Sequence, residues 1–483
     1  MPYRHSCVIL PRYDVLFLPK KTMKLTPKIF LASLLSMATI VAIGAPKISL
    51  AASSRDTWLV EQIYAFNHPL ATQQPAEVAT KIGKMAQSPF AFYRGTAHLF
   101  YQDLTTLPAS NFENQATLHT FINGDMHLAN LGSLRDANGN QVFDTNDFDE
   151  GYLGQYHWDL RRMAVSIILA AQENGLSSSV QQQLVNDFSA AYLSQIKQFR
   201  GNNNELDFRL TASNTSGVVQ DLIKSAAKQK RADFLSKHTS LSNGRRVLQN
   251  KSDLQAVSST SYAQIVQGIG SYVSSIAPSK RYAASYYQVK DVRQKLGSGI
   301  GSLGRLRYYV LVEGASSGND DDVILQVKQQ QASVVASLVP GNLPASAYAA
   351  NDGQRTTRAM KAALSNTDLL AGWTKIAGLD FSVREKSPFE ADFDLTLLSS
   401  AGKFSNAVQL AGKVLAKNHA SADSDYDANL VSWSIDKEID DILGKNVAAF
   451  QADILSFSLN YAQQVKLDYA SFIRAKNLGT ALY

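Results

Sequence analysis

Asn123-Gly124-Asp125-Met126-His127-Leu128-Ala129-Asn130, followed by Asp144-Thr145-Asn146-Asp147-Phe148-Asp149-Glu150, is the stretch on which the reading of this 483-residue chain turns. Asp125 stands five positions before Asn130. Phosphoryl-transfer sites use such a pair because a carboxylate takes up or orients the proton of an attacking hydroxyl while an amide oxygen helps hold Mg²⁺. The second segment follows a strand, Gln141-Val142-Phe143, and sets carboxylates where they can hold a hard cation through oxygen. Asn138-Gly139-Asn140 is a hairpin-type turn, so neighbouring strands bring Asn130 and Asp147 together, and Asp149 can join them. Taken singly, each feature has a plainer explanation. An Asp–Asn spacing arises by chance, an Asp-rich turn is commonly a solvated loop, and His127 serves as a hydrogen-bonding loop residue. Both acidic elements around one hairpin favour a site. Asp159, in His157-Trp158-Asp159-Leu160, starts a helix, where the dipole favours an acid. It is expected to hydrogen-bond the backbone of the Asp125 loop and hold its shape.

A second motif lies about 150 residues further on. Gly297-Ser298-Gly299-Ile300-Gly301-Ser302-Leu303-Gly304 contains GxGxxG at Gly299, Gly301 and Gly304. A dinucleotide-binding turn passes from a strand into a helix. This one passes into the β-rich run 305–312. A turn at 313–322 and a second strand, 323–328, follow. Loop, strand, turn, strand is the hairpin that covers nucleotide phosphates in kinase-type sites, with Ser302 inside the loop. The second strand ends in Lys328, the amine such a site pairs with phosphate oxygens. The plainer alternatives are a flexible Gly/Ser connector and a solvated edge lysine. In protein kinases the glycine loop and lysine precede the acidic elements; here they follow. A circular permutation of a kinase-like fold would produce that order.

Composition sets the frame. The chain is 45% apolar and 18% charged, with 28 Gly, 13 Pro and a single Cys, which excludes a disordered chain, a collagen repeat and a disulfide-stapled mini-protein. Residues 1–51 hold 7 of the 47 Lys+Arg and 1 of the 41 Asp+Glu, leaving 40 of each in the rest. The body is therefore neutral, and no nucleic-acid partner is expected. The basic end reads as a leader, with a secretory signal at 23–51: Lys24 and Lys28, an apolar centre at 29–44, then Ser49-Leu50-Ala51. The apolar centre is too short to span a bilayer comfortably, so export with cleavage is expected and no stable span afterwards. An uncleaved anchor is the alternative. Cys7 lies in the upstream extension, so the mature chain would hold no disulfide and no thiolate site.

Periodicity places helices at 56–86 (broken at His68-Pro69), 158–172, 178–199, 354–373, 404–420, 431–443 and 447–475, and a short strand at 117–122. The expected divisions are 52–200, part of a helical lobe with the catalytic-type loop and metal Asp; 201–290, a helical connector or insertion; 291–400, a small lobe with the glycine hairpin and strand lysine; and 401–483, C-terminal helices. The fold class is α+β: a protein-kinase-like two-lobed fold, circularly permuted, with helical insertions.

Phe92-Tyr93-Arg94-Gly95, Gly124-Asp125-Met126-His127, Asn146-Asp147-Phe148-Asp149-Glu150, Trp158-Asp159-Leu160-Arg161-Arg162, Leu325-Gln326-Val327-Lys328 and Leu415-Ala416-Lys417-Asn418-His419-Ala420 together resemble a bacterial family of uncharacterised proteins, the domain of unknown function 2252. Arg94, His127 and Asp159 fall in these segments as supporting residues. The Gly-Asp-x-His-x-x-Asn and Asp-Phe-Asp segments are also similar to those of aminoglycoside phosphotransferases and related small-molecule kinases. That resemblance implies Asp125 as catalytic base, Asn130 and Asp147 as magnesium ligands, and Lys328 as a phosphate contact. Two departures stand out. Asn123 occupies the place where small-molecule kinases often have His. The helix after the lysine strand offers no Glu, and Arg358, sitting where that Glu is sought, would repel Lys328. The leading expectation is a phosphotransferase or nucleotidyl transferase that uses ATP and Mg²⁺ to modify a hydroxyl of a small-molecule or protein substrate. An exported, catalytically degenerate binding protein on the same fold is the first alternative. A metal-dependent hydrolase using Asp147 and Asp149 is the second.

Overall fold

The computed structural model describes residues 48–297, 299–339, 351–444 and 446–483, with side chains from Ser54 onward. Residues 1–47 of the expected leader, with Cys7, and Ser298 lie outside them. Helix α1 (Ile48–Ala71) runs through Pro69 instead of stopping at His68, with Leu59 and Ile63 fully buried. It is followed by α2 (Pro75–Met85), α3 (Pro89–Gly95), whose Ser88 cap accepts from the Ala91 N–H, and α4 (Ala97–Leu104). Proline at the first turn of α2 and α3 fits positions that need no N–H donor. The aromatic run Phe90–Tyr93 is thus helical, and all four side chains are buried.

Strand β1 (Thr120–Ile122) pairs with β4 (Tyr152–Gly154), and between them β2 (Leu131–Arg135) and β3 (Gln141–Thr145) form the expected hairpin, Leu131 opposite Thr145. Helix α5 (Tyr156–Glu173) is buried on nearly every side, and α6 (Ser178–Phe199) packs beside it. A helix buried all round is a core helix, and α5 is the axis of the largest apolar cluster.

The segment expected as a helical connector holds α7 (Gly217–Ala227), α8 (Arg231–His238), a hairpin of β5 (Thr239–Ser242) and β6 (Arg245–Leu248), the strand β7 (Leu254–Ala256) and α9 (Ser259–Ser275). Strand β7 joins β8 (Val289–Lys295), and these continue into β9 (Arg307–Val312) and β10 (Val323–Gln329). Helix α10 (Asp352–Ala363) ends well before residue 373. Its expected last turns are instead β11 (Gly372–Ile376), which pairs with β12 (Leu379–Glu385). Thr374, Phe381 and Val383 alternate inward along these strands.

The six strands run β11-β12-β10-β9-β8-β7, every neighbour antiparallel. One face carries Leu325, Val327, Val310 and Val383 against Ile265, Ile269 and Tyr272 of α9. The other face carries Gln326 and Lys328, two residues apart on β10. Strand β13 (Ala391–Asp392) pairs with β2. Helices α11 (Ala401–Ser421), α12 (Ser424–Asp427), α13 (Ile435–Leu443) and α14 (Val447–Asn477) complete the chain, with α11 lying along α6 and α14 along α5. From Leu50 to Tyr483 this mixed helix-and-sheet structure is one compact unit. Among the described residues no helix is long and apolar enough to cross a membrane.

Candidate functional site

The β2–β3 hairpin does what its sequence requires. The Asn146 N–H donates to the Asn130 carbonyl at 3.0 Å, so Asn130 enters one strand where Asp147 leaves the other. Asn130 Nδ2 donates to the Asp125 carbonyl (2.8 Å), which leaves its Oδ1 without a protein donor among the described residues. Asp159 fulfils its expected role: Oδ2 accepts from the Asn123 N–H (2.6 Å) and Oδ1 from the Gly124 N–H (3.0 Å). Gly124 has φ +78°, and a β-carbon there would fall 2.2 Å from the Glu150 carbonyl oxygen. Two acidic loops cross at that point, and only glycine lets them.

The run Lys417-Asn418-His419 on α11 braces these loops from behind. Lys417 Nζ donates to Asp144 Oδ2 (2.5 Å) and to the Ala363 carbonyl (2.9 Å). Asn418 donates to Thr145 Oγ1 (2.9 Å), and His419 Nε2 lies 3.4 Å from Asp159 Oδ2.

Asp125 is bound by a residue that sequence reasoning passed over. The fully buried Arg162 donates through Nε to Asp125 Oδ1 at 2.7 Å and through Nη2 to the same oxygen. The guanidinium also sits 4.3 Å from the Tyr93 ring centroid. Burial pushes the Asp125 carboxyl up to about 7, while the Arg162 charge pulls the other way. Asp125 Oδ2 lies 3.8 Å from His127 Nε2. Burial, then the nearby Arg94 and Arg162 charges, holds the His127 imidazole well below its usual range, so it is neutral.

The glycine motif meets this cluster. A β-carbon at Gly301 would stand 3.8 Å from Asp125 Oδ2 and 3.7 Å from the Arg94 carbonyl, so the turn lies directly over Asp125. The turn is a short 3₁₀ segment, Ile300–Ser302, and it is fixed rather than free-standing. Ile300 and Leu303 are buried, and Gly304 (φ +96°) leaves no room for a β-carbon between Val78 of α2 and Leu70 of α1. Gly304 therefore serves the turn's packing, whereas Gly299 and Ser302 line the cleft below.

That cleft has a volume of about 400 Å³, within the usual size of small-molecule sites. Its sheet wall carries Arg307, Gln326, Lys328 and Arg384; its floor carries Asn130 and Asp147, and Arg94 closes one side. Arg94 and Arg307 have no ion-pair partner among the described residues, and the buried Nε–H of Arg94 finds no acceptor among them either. Burial pushes both guanidinium groups down from their usual range, against the pull of Asp125, Asp147 and Asp149. At the far end Glu390 pairs with Arg384 and, at 2.5 Å, with Lys386.

Lys328 Nζ lies 2.5 Å from Asp149 Oδ2 and 3.5 Å from Asp147 Oδ1. Asp149 also accepts from Ser302 Oγ (3.1 Å), Arg305 Nη1 (3.1 Å) and Gln330 Nε2 (3.0 Å). Burial alone would raise its carboxyl, but Lys328 and Arg305 overcome that and hold it well below the usual carboxylate range. Burial and the Asp149 charge push Asp147 upward. Its Oδ1 accepts from the Asp149 N–H, and Oδ2 has no protein donor among the described residues.

The expectation that Arg358 opposes Lys328 does not hold. Arg358 is not among the cleft-lining residues, and its charge acts on Tyr426. The helix residue that reaches inward is Arg355, which donates to the carbonyls of Gly151 (2.6 Å), Asp149 (2.8 Å) and Gln331 (2.8 Å). Arg305 and Arg307 were legible only as strand residues. Their pattern, cations flanking an apolar residue directly after a glycine turn, was the available signal.

No cluster of three or more His, Cys, Asp or Glu side chains among the described residues is placed to hold a metal. Asp147 Oδ2 and Asn130 Oδ1 have no protein donor among the described residues, and together they suit Mg²⁺, because that ion keeps several waters and phosphate oxygens.

Comparison with curated proteins finds no match, and comparison with solved structures finds none. A family model does match, over residues 73–475, a span that contains every residue of this site. The chain belongs to that family, described as an uncharacterized protein conserved in bacteria, DUF2252.

Proposed function

We propose that the protein is a kinase-like phosphotransferase, or a nucleotidyl-transferring relative, built on a circularly permuted two-lobed fold. One observation carries this reading: the glycine turn and Lys328 meet Asn130 and Asp147 around one cleft of nucleotide size, and Asp125 lines the small pocket that adjoins it beneath Gly301 of the same turn. The order β8, glycine turn, β9, β10 with its lysine, then helix α10, follows the small lobe of a kinase, and the acidic hairpin supplies the floor. Arg94, Arg307 and Lys328 would bind phosphate oxygens, and charge-assisted contacts of this kind are strong. Asp147 and Asn130 would hold Mg²⁺, which supplies charge neutralisation at the phosphates. Asp125 would accept the proton of the attacking hydroxyl, and Asp159 and Arg162 fix where its carboxylate points. Export, if the leader acts as its sequence suggests, would place this chemistry outside the cytoplasm.

Calorimetry with ATP and Mg²⁺ tests the reading, followed by transfer assays on the full chain. Binding by the wild-type chain is expected. Asp125→Ala should keep nucleotide affinity within about threefold and lower turnover by about a hundredfold or more, as expected when a proton acceptor is lost. Nucleotide binding with no turnover in either protein would favour the degenerate binding protein, for which the Arg162 grip on Asp125 is the supporting observation. The metal-dependent hydrolase using Asp147 and Asp149 is disfavoured, because Asp149 is enclosed by donors.

A further inference from the structure

Asp149 stands where four elements converge. Strand β10 brings Lys328 Nζ to 2.5 Å and Gln330 follows on the same chain; the glycine turn brings Ser302, and the segment after it brings Arg305. Helix α10 holds the Asp149 carbonyl through Arg355. Glu150, next in the chain, takes Arg305 Nη2 at 2.8 Å and the Val334 N–H at 2.9 Å. Every donor here is buried or nearly so, which makes each charge-assisted bond directional and costly to leave unmade.

A strand lysine in a nucleotide site must be held extended toward the phosphates, and an acid on the following helix is the usual means. Here the polarity is inverted: the helix contributes a cation, Arg355, and the loop contributes the acid. We propose that Asp149 is a positioning residue. It holds Lys328 and the glycine turn in register for the nucleotide, and leaves the metal to Asp147 and Asn130. This rests on the phosphotransfer reading, and assigns Asp149 a place other than the metal shell expected from sequence. Donors satisfy both of its oxygens, whereas Asp147 Oδ2 and Asn130 Oδ1 are open.

The experiment is ATP affinity measured by calorimetry on the full chain across a Mg²⁺ titration, which needs no acceptor substrate. Asp149→Asn should weaken ATP by about tenfold or more while the Mg²⁺ concentration for half-maximal affinity stays within about twofold. Asp147→Asn should shift that Mg²⁺ requirement by about tenfold. Thr356 on α10 lines the same cleft with a buried, unpartnered hydroxyl, so Thr356→Glu offers a helix acid there. Added to Asp149→Asn, it should restore part of the lost affinity, which a merely structural role for Asp149 would not allow. If Asp149→Asn does not fold, the pair Ser302→Ala with Gln330→Ala loosens the same carboxylate while leaving its charge paired. It should weaken ATP severalfold with the Mg²⁺ requirement unchanged. A Mg²⁺ shift in either Asp149-directed variant, or unchanged ATP affinity, overturns the inference alone. Failure of the wild-type chain to bind ATP at millimolar nucleotide overturns the phosphotransfer reading and this inference together.

Discussion

Two buried ionisable groups set the pH behaviour of single residues in this protein. Asp125 can accept a proton only when ionised, and burial has moved its carboxyl up to about 7. Turnover should therefore rise with pH through about 7 and level above it. Because the Arg162 charge draws that value down, Arg162→Gln should move the rising limb to higher pH, as a pH–rate profile would register. Lys81 is the second case. It is fully buried on α2, its amine has no hydrogen-bond partner, and it lies 4.6 Å from the Phe66 ring centroid. Burial, then the Arg305 charge, pushes it down to about 7. The unfolded lysine holds its proton to about 10.4, so between these values the unfolded chain binds more protons and stability rises with pH. Lys81→Met should stabilise the fold by an amount that is full below about pH 7 and fades toward pH 10, read from denaturant midpoints across pH.

At the scale of elements, α11 is the brace of the acidic hairpin. Its Lys417 ties β3 to the end of α10 through Asp144 and the Ala363 carbonyl, both contacts buried. Removing one partner of a buried pair leaves an uncompensated charge. Lys417→Met should cost about 3–5 kcal/mol, and the double variant with Asp144→Val should recover most of it. Chemical denaturation with a double-mutant cycle measures both. Elements were unevenly legible in the sequence. The β2–β3 hairpin was written locally in Asn138-Gly139-Asn140, and α6 was recovered to its end residues, because turn chemistry and a 3.6-residue apolar period are short-range signals. Strands β11 and β12 were read as helix or missed. Their alternation spans few residues, and what fixes them as strands is the pairing of β12 with β10, some 55 positions earlier, and of β11 with β12.

For the whole molecule, the cleft joins the six-stranded sheet to the helical body, so a ligand that fills it should stabilise both together. A ligand at about a hundred times its dissociation constant adds about 2.7 kcal/mol to a fold that binds it only when native. ATP with Mg²⁺ should therefore raise the unfolding midpoint, and a chelator should reverse most of the rise, as thermal melts would show.

The sequence by itself determined the neutral body, the acidic hairpin with Asn130 beside Asp147, the acid Asp159 in the first turn of a helix, and a strand that carries Lys328 near its end. All of these are consequences of spacing, alternation and capping within a few residues of chain. Only the tertiary structure decided which charges meet. Arg162 reaches Asp125 from 37 positions away, Ser302 and Arg305 reach Asp149 from 153 and 156, and Arg355 reaches its carbonyl from 206. Local sequence carries no record of such pairings, because a buried charge takes its partner from whatever element packing brings within hydrogen-bond distance.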